Sequence, residues 1–217
     1  MALMFRDLLA TPYKHISPWS PISEWWGSSD ASADDEQASI GGWITNKTSP
    51  KKSQVWWFSS TVSKQTLPWI FDKQTPQRRI STLEMLGTLT LFQHLLLFTK
   101  GSGATGPTEN LNLYIPLMTD NQGNALSILN NNSKKWPTSA VLMELVTQAH
   151  IHEAAIGPMH IKRSRNTWAD ALAGMDHTGF DQERRLPALL PAHWHILGPT
   201  TGLLCHHSDD TVLTGQT

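Results

Sequence analysis

Four acidic residues stand where a folded chain could gather them. Asp30 lies within a strand-like stretch, Glu84 early in an apolar helical one, Asp120 where a strand passes into a helix, and Asp170 early in a last helix. Carboxylate oxygens suit hard divalent cations, and Mg²⁺ held by a few carboxylates while keeping waters is the usual arrangement for phosphate chemistry. Two such ions about 3.5–4 Å apart can activate a water and stabilise the leaving oxygen of a phosphodiester. Acids this distant in sequence meet only if a sheet edge collects them, so the chemistry depends on the elements that carry them.

The stretch from Leu111 to Leu129, LNLYIPLMTDNQGNALSIL, states architecture and chemical group together. Leu111, Leu113, Ile115 and Leu117 alternate with other residues, the period of a strand with one face buried. Asp120 ends it, Asn121 can cap a helix beginning there, and Ala125, Leu126, Ile128 and Leu129 fall at helical spacings. Ligands of open α/β sheets gather at this carboxyl edge, although an aspartate there can also be a plain helix cap.

Upstream, WWGSSDAS reads as a strand carrying Asp30, IGGWIT as its hairpin partner and SQVWWFSST as a third strand. A helix comes next, so surrounded by Leu83, Met85, Leu86, Leu89, Leu91, Phe92, Leu95 and Leu96 that it should lie centrally against the sheet. Gly87, costly in a helix interior, predicts a close approach to that sheet. Ser81-x-x-Glu84 reads as a capping box, which would give Glu84 a purely local task. Lys100 to Asn110 is a loop by composition, and Asn130 to Pro137 a turn exposing Lys134, Lys135 and Trp136. Val141, Leu145 and Ala149 mark a helix ending near His152, Ala154 to Ile161 a last strand, and Asn166 the cap of a last helix. The order is three strands, helix, strand, two helices, strand, helix: an α/β chain with a hairpin-led mixed sheet.

The 217 residues carry a formal charge of −1, which gives no global attraction to nucleic acid. Local asymmetry exists, since an acidic knot of Asp30, Asp34, Asp35 and Glu36 precedes Lys47, Lys51, Lys52, Lys64, Lys73, Arg78 and Arg79. The single cysteine, Cys205, excludes an internal disulfide and a multi-cysteine zinc site. Arg6 and Asp7 interrupt the apolar start, so no leader is expected, and Leu89 to Phe98 is too short a run to span a bilayer. The expected setting is intracellular, cytoplasm or nucleus, with no membrane partner. Residues 1–24 read as an irregular arm, 25–175 as the domain, and 176–217 as a proline-rich tail laid over it.

Over residues 25 to 175 the chain resembles the ribonuclease H family, in particular the domains attached to reverse transcriptases of retroelements. The carrying motifs are SDAS at Asp30 followed by GGW, LEMLGTL at Glu84, MTDNQGNALSIL at Asp120, and NTWAD from Asn166 to Asp170. The resemblance implies a five-stranded mixed sheet, three antiparallel strands then two parallel, flanked by helices. It also implies that Asp30, Glu84, Asp120 and Asp170 are catalytic and hold two Mg²⁺ ions, with Mn²⁺ able to substitute. The implied activity is hydrolysis of the RNA strand of an RNA/DNA hybrid, with a reverse transcriptase polymerase domain as partner.

Two departures accompany the resemblance. Many members place a histidine on a loop before the last aspartate; His160 is the candidate here, and it also fits the end of the last strand. Stand-alone members often carry a basic helical protrusion, for which Lys134, Lys135 and Trp136 are a small substitute. Arg78, Arg79, Lys162 and Arg163 are further candidates for phosphate contact. Proofreading exonucleases of related fold use an Asp-x-Glu pair, present as Asp34 and Glu36, but in the turn between two strands and leaving Glu84 idle. Integrases and transposases put their last acid, usually Glu, on the last helix and need none on the first. A non-catalytic module that holds nucleic acid or neighbouring domains is the alternative from another class. A zinc site from Cys205, His206 and His207, or from His193 and His195, lacks the spacing zinc requires. Trp56, Trp57 and Trp69 could stack on bases, but core packing is their ordinary role.

Overall fold

The computed structural model describes residues 22–34, 37–71, 75–101, 113–188 and 194–197. The arm up to residue 21, Asp35, Glu36, most of the Lys100–Asn110 loop, His193 and the Cys205–His207 group lie outside the described residues.

Five strands form one sheet in the order β3-β2-β1-β4-β5. They are β1 (Trp26–Ala33), β2 (Ala38–Thr45), β3 (Trp56–Val62), β4 (Leu113–Thr119) and β5 (Ala154–His160). The first three pair antiparallel, whereas β4 runs parallel to both β1 and β5. The helices are α1 (Ile80–Gly101), α2 (Gln122–Leu129), α3 (Thr138–Ile151) and α4 (Thr167–Ala173). Element order, strand directions and flanking helices are those the family resemblance implies.

Alternation places the core. Ile115, Leu117 and Thr119 of β4 are buried while Tyr114 is exposed, and the side chains of β2 and β3 divide between two layers. Ile40, Ile44 and Phe58 pack with α1 and α3; Trp43 and Trp57 pack with Ala169 and Leu172 of α4. Two glycines set the spacing. A Cβ at Gly87 would stand 3.3 Å from the Asp30 carbonyl oxygen, so α1 lies against β1 beside the acid that β1 carries. A Cβ at Gly41 would overlap the backbone of Leu172 and Ala173, so α4 rests directly on β2.

With the preceding 3-10 turn, α1 makes a 26-residue helical stretch, long and apolar enough by composition to cross a membrane. Within the fold 78% of its apolar window is buried, which makes it the core helix of the sheet. Residues 176–188 cross the domain. Trp57 Nε1 donates to the Asp181 carbonyl at 2.7 Å, Leu186 N donates to the Trp57 carbonyl at 2.7 Å, and His94 Nε2 donates to the Pro187 carbonyl at 2.8 Å. Residues 195–197 lie against α3, where Glu144, fully buried, accepts from the backbone amides of His195, Ile196 and Leu197.

Candidate active site

Three elements deliver three carboxylates to one place. Asp30 sits in the second half of β1, held close to α1 by Gly87. Glu84 projects from the early part of α1, and Asp120 is the first residue after β4. Asp30, Glu84 and Asp120 each offer an oxygen within 4.8 Å of the others. Asp170 lies in the first turn of α4 and is close enough to repel Asp30, but it stands outside that group of three and pairs with Arg163 at 3.5 Å.

The electrostatics come from burial and like charge. Asp30 is 5% exposed, and desolvation, with Asp120, Glu84 and Asp170 nearby, pushes its carboxyl up to about 7 against one opposing hydrogen bond from Ala31 N–H. Burial also raises Glu84, assisted by Asp120, while a hydrogen bond from Asn121 and the charge of Arg163 oppose it. Hard oxygens at mutual ligand distance, with a buried member whose acidity is weakened for want of positive charge, fit a divalent cation.

Two asparagines that the sequence presents as helix caps do more. Asn121 does cap α2, its Oδ1 accepting Asn124 N–H at 2.9 Å, but its Nδ2 also donates to Glu84 Oε2. Asn166 occupies the cap position of α4 without capping it. Instead it is buried, takes the Ser28 hydroxyl at 2.5 Å, and donates Nδ2 to Asp120 Oδ1 at 3.3 Å and to the Ser29 carbonyl at 3.4 Å. The available signal is the amide itself. Beside carboxylates an aspartate would cap as well but adds charge, whereas asparagine brings donors.

Glu84 is no capping-box residue. The chain enters α1 through a 3-10 turn at Pro76–Arg79, so Ser81 is already inside the helix, and the Glu84 side chain turns to Asn121. His160 closes β5, exposed, with Nε2 3.1 Å from the Asp120 carbonyl oxygen. Arg78 and Arg79 lie in the 3-10 turn, and Arg79 Nη1 donates to the Trp136 carbonyl at 3.0 Å, which joins that turn to the Lys134–Trp136 corner. Lys162 and Arg163 come after β5, and Arg163 is the cation felt by Glu84. Trp57 is fully buried, and Trp56 packs against Phe98 at a tilt, ring centres 5.4 Å apart, so both serve packing. Trp69 lies 6.3 Å from Trp136, ring centre to ring centre.

No family model and no curated protein matches the chain. Solved structures do. Crystal structures similar to it include RNase H1 from the archaeon Halobacterium salinarum NRC-1, with TM-score 0.46 and 14% identity over 70% of this chain and 96% of that one. LC11-RNase H1, isolated from compost and crystallised with an RNA/DNA hybrid, gives TM-score 0.45 and 16% identity over 70% and 94%. The sheet order β3-β2-β1-β4-β5, with three antiparallel strands followed by two parallel ones, is the arrangement that the resemblance to the ribonuclease H family implies. The protease-reverse transcriptase of prototype foamy virus is also similar, with TM-score 0.38 and 15% identity over 78% of this chain and 22% of that one.

Proposed function

We propose that the chain is a metal-dependent nuclease that hydrolyses the RNA strand of RNA/DNA hybrids, as a domain accompanying a reverse transcriptase polymerase. The observation that carries the reading is the meeting of Asp30, Glu84 and Asp120 within 4.8 Å of one another, from β1, α1 and the end of β4. The substrate class comes from the motif resemblance around those same acids.

When bound, a pair of Mg²⁺ ions, or Mn²⁺ in their place, supplies an activated water and a stabilised leaving oxygen. The chain's own residues prepare for that. Asp30, Glu84 and Asp120 would be the ligands, and each has one oxygen engaged by a donor: Ala31 N–H at 2.8 Å, Asn121 Nδ2, and Asn166 Nδ2 at 3.3 Å. Asp30 would serve as a ligand in its ionised form. Asp170 would complete the set if it were released from Arg163, an exposed pair that water screens and that holds weakly. Arg78, Arg79, Lys134, Lys135, Lys162 and Arg163 take phosphate contacts, and His160, beside Asp120, is placed to meet the leaving group.

The test is cleavage of a labelled RNA/DNA hybrid with Mg²⁺. Asp120→Asn is expected to abolish cleavage while the circular dichroism and melting of the chain stay those of a folded protein; near-normal cleavage would contradict the assignment. The pairing of Asp170 with Arg163 favours one second reading, a non-catalytic module that binds hybrid. Retained binding without cleavage at high protein concentration would decide for it.

A further inference from the structure

We infer that Asn121 is a positioning residue for Glu84, fixing which oxygen Glu84 offers to a divalent cation; the inference rests on the metal-binding reading of Asp30, Glu84 and Asp120. The side chain of Asn121 is used at both ends. Its Oδ1 accepts Asn124 N–H at 2.9 Å, closing the first turn of α2. With that oxygen committed, the amide nitrogen turns toward α1 and donates to Glu84 Oε2. Asn124 completes the tie, being 3% exposed and donating Nδ2 to the Ser81 carbonyl at 2.9 Å. The junction between β4 and α2 is thereby pinned to α1 at two points, Ser81 and Glu84.

This arrangement answers a physical problem. Glu84 is a half-buried, rotatable carboxylate next to Asp120, a like charge that favours its swinging away. Donation from Asn121 holds Oε2 in place and leaves Oε1 as the ligand atom. Because Asn121 follows Asp120 directly, the turn that aims one acid restrains the other. Neither requirement alone selects asparagine. Serine, threonine or aspartate would cap α2, but aspartate has no proton to donate and the hydroxyls are a bond shorter. The amide serves both tasks, and ligand-orienting groups of this kind are typically worth 10–100-fold in metal affinity.

The experiment is Mn²⁺ titration calorimetry on the full chain, on Asn121→Gly, on Glu84→Ala and on the double variant, with metal-free urea unfolding to verify folding. Glycine is nearly as good a cap as asparagine, so the helix start is kept while the amide is lost. Mn²⁺ affinity is expected to fall about 10–100-fold in Asn121→Gly and to show no further fall when the substitution is made on Glu84→Ala. Unchanged affinity in Asn121→Gly, or the same loss on both backgrounds, would overturn the inference while leaving the metal reading standing. No Mn²⁺ binding by the unmodified chain would overturn both. Should Asn121→Gly fail to fold, Asn121→Thr keeps a capping oxygen without an amide and is expected to show the same loss, its wild-type affinity being the contrary result.

Discussion

Glu144 and Asp30 are both buried carboxylates, 0% and 5% exposed, in opposite surroundings. Glu144 accepts from Gln148 Nε2 at 2.7 Å and from the amides of His195, Ile196 and Leu197 at 2.9, 2.5 and 3.1 Å. Asp30 has one backbone donor, Ala31, and faces Asp120, Glu84 and Asp170. A buried charge is tolerable when its lone pairs are satisfied and costly when they are not. At α3 the donors satisfy the acid and fasten the C-terminal segment. At the edge of β1 and β4 the fold assembles negative charges against one another, an expense that a purely structural site would have no reason to keep.

Removing each acid in turn should therefore have opposite effects, and the larger belongs to Glu144. Glu144→Ala leaves three backbone amides without their acceptor, each lost partner costing on the order of 1–3 kcal/mol, so a loss of about 3 kcal/mol or more is expected in urea unfolding. Asp30→Asn in the metal-free chain at pH 8 should raise stability, by relieving repulsion and desolvation. If both substitutions destabilise alike, the contrast between the two sites is wrong.

The sequence shows these two sites very unequally. Alternation in LNLYIPLMT and helical spacing after Asn121 announce β4, α2 and the place of Asp120, because period and burial are local consequences of one another. Gly87 announces the approach of α1 to β1, since a glycine inside a helix marks where a backbone comes close. Glu84 is harder to place: Ser81-x-x-Glu84 has the spacing of a capping box, and only the 3-10 turn beginning at Pro76 moves the helix start upstream and releases the side chain. Asn166 likewise sits where a cap belongs yet spends its amide on Asp120 and Ser29. Glu144 cannot be read at all. Its main partners are backbone amides about fifty residues downstream, and no side-chain pattern marks a peptide N–H as a ligand.

Acidity sharpens the contrast. Asp30 rises from 3.8 to about 7 in the folded state, so between those values the folded chain holds a proton that the unfolded chain has lost. Unfolding then releases a proton, and stability must fall as pH rises from about 4 to about 7 and level off above. Glu84, also raised, adds in the same direction. Metal-free melting curves across that range should show the decline, and Asp30→Asn should flatten it. Mg²⁺ competes with the proton, so its stabilising effect should be greater at pH 8 than at pH 5. A melting temperature that climbs through this window would mean that Asp30 is ionised in the folded chain without help.

The smallest expected effect lies at the corner formed by Lys134, Lys135 and Trp136, joined to the 3-10 turn by Arg79. Phosphate contacts act through released counterions, so each lysine that makes one contributes about 0.9 to the slope of log affinity against log salt. Lys134→Ala with Lys135→Ala should lower that slope for an RNA/DNA hybrid by up to about 2, weakening binding at low salt more than at high salt. Mn²⁺ affinity should not change, because neither lysine is among the groups that perturb Asp30 or Glu84. An unaltered slope would remove this corner from the hybrid-binding surface and leave Arg163, paired with Asp170, and its chain neighbour Lys162 as the stronger candidates for phosphate contact. A changed Mn²⁺ affinity would instead mean that the corner and the acid cluster are coupled through the 3-10 turn and α1, the helical stretch that both of them touch.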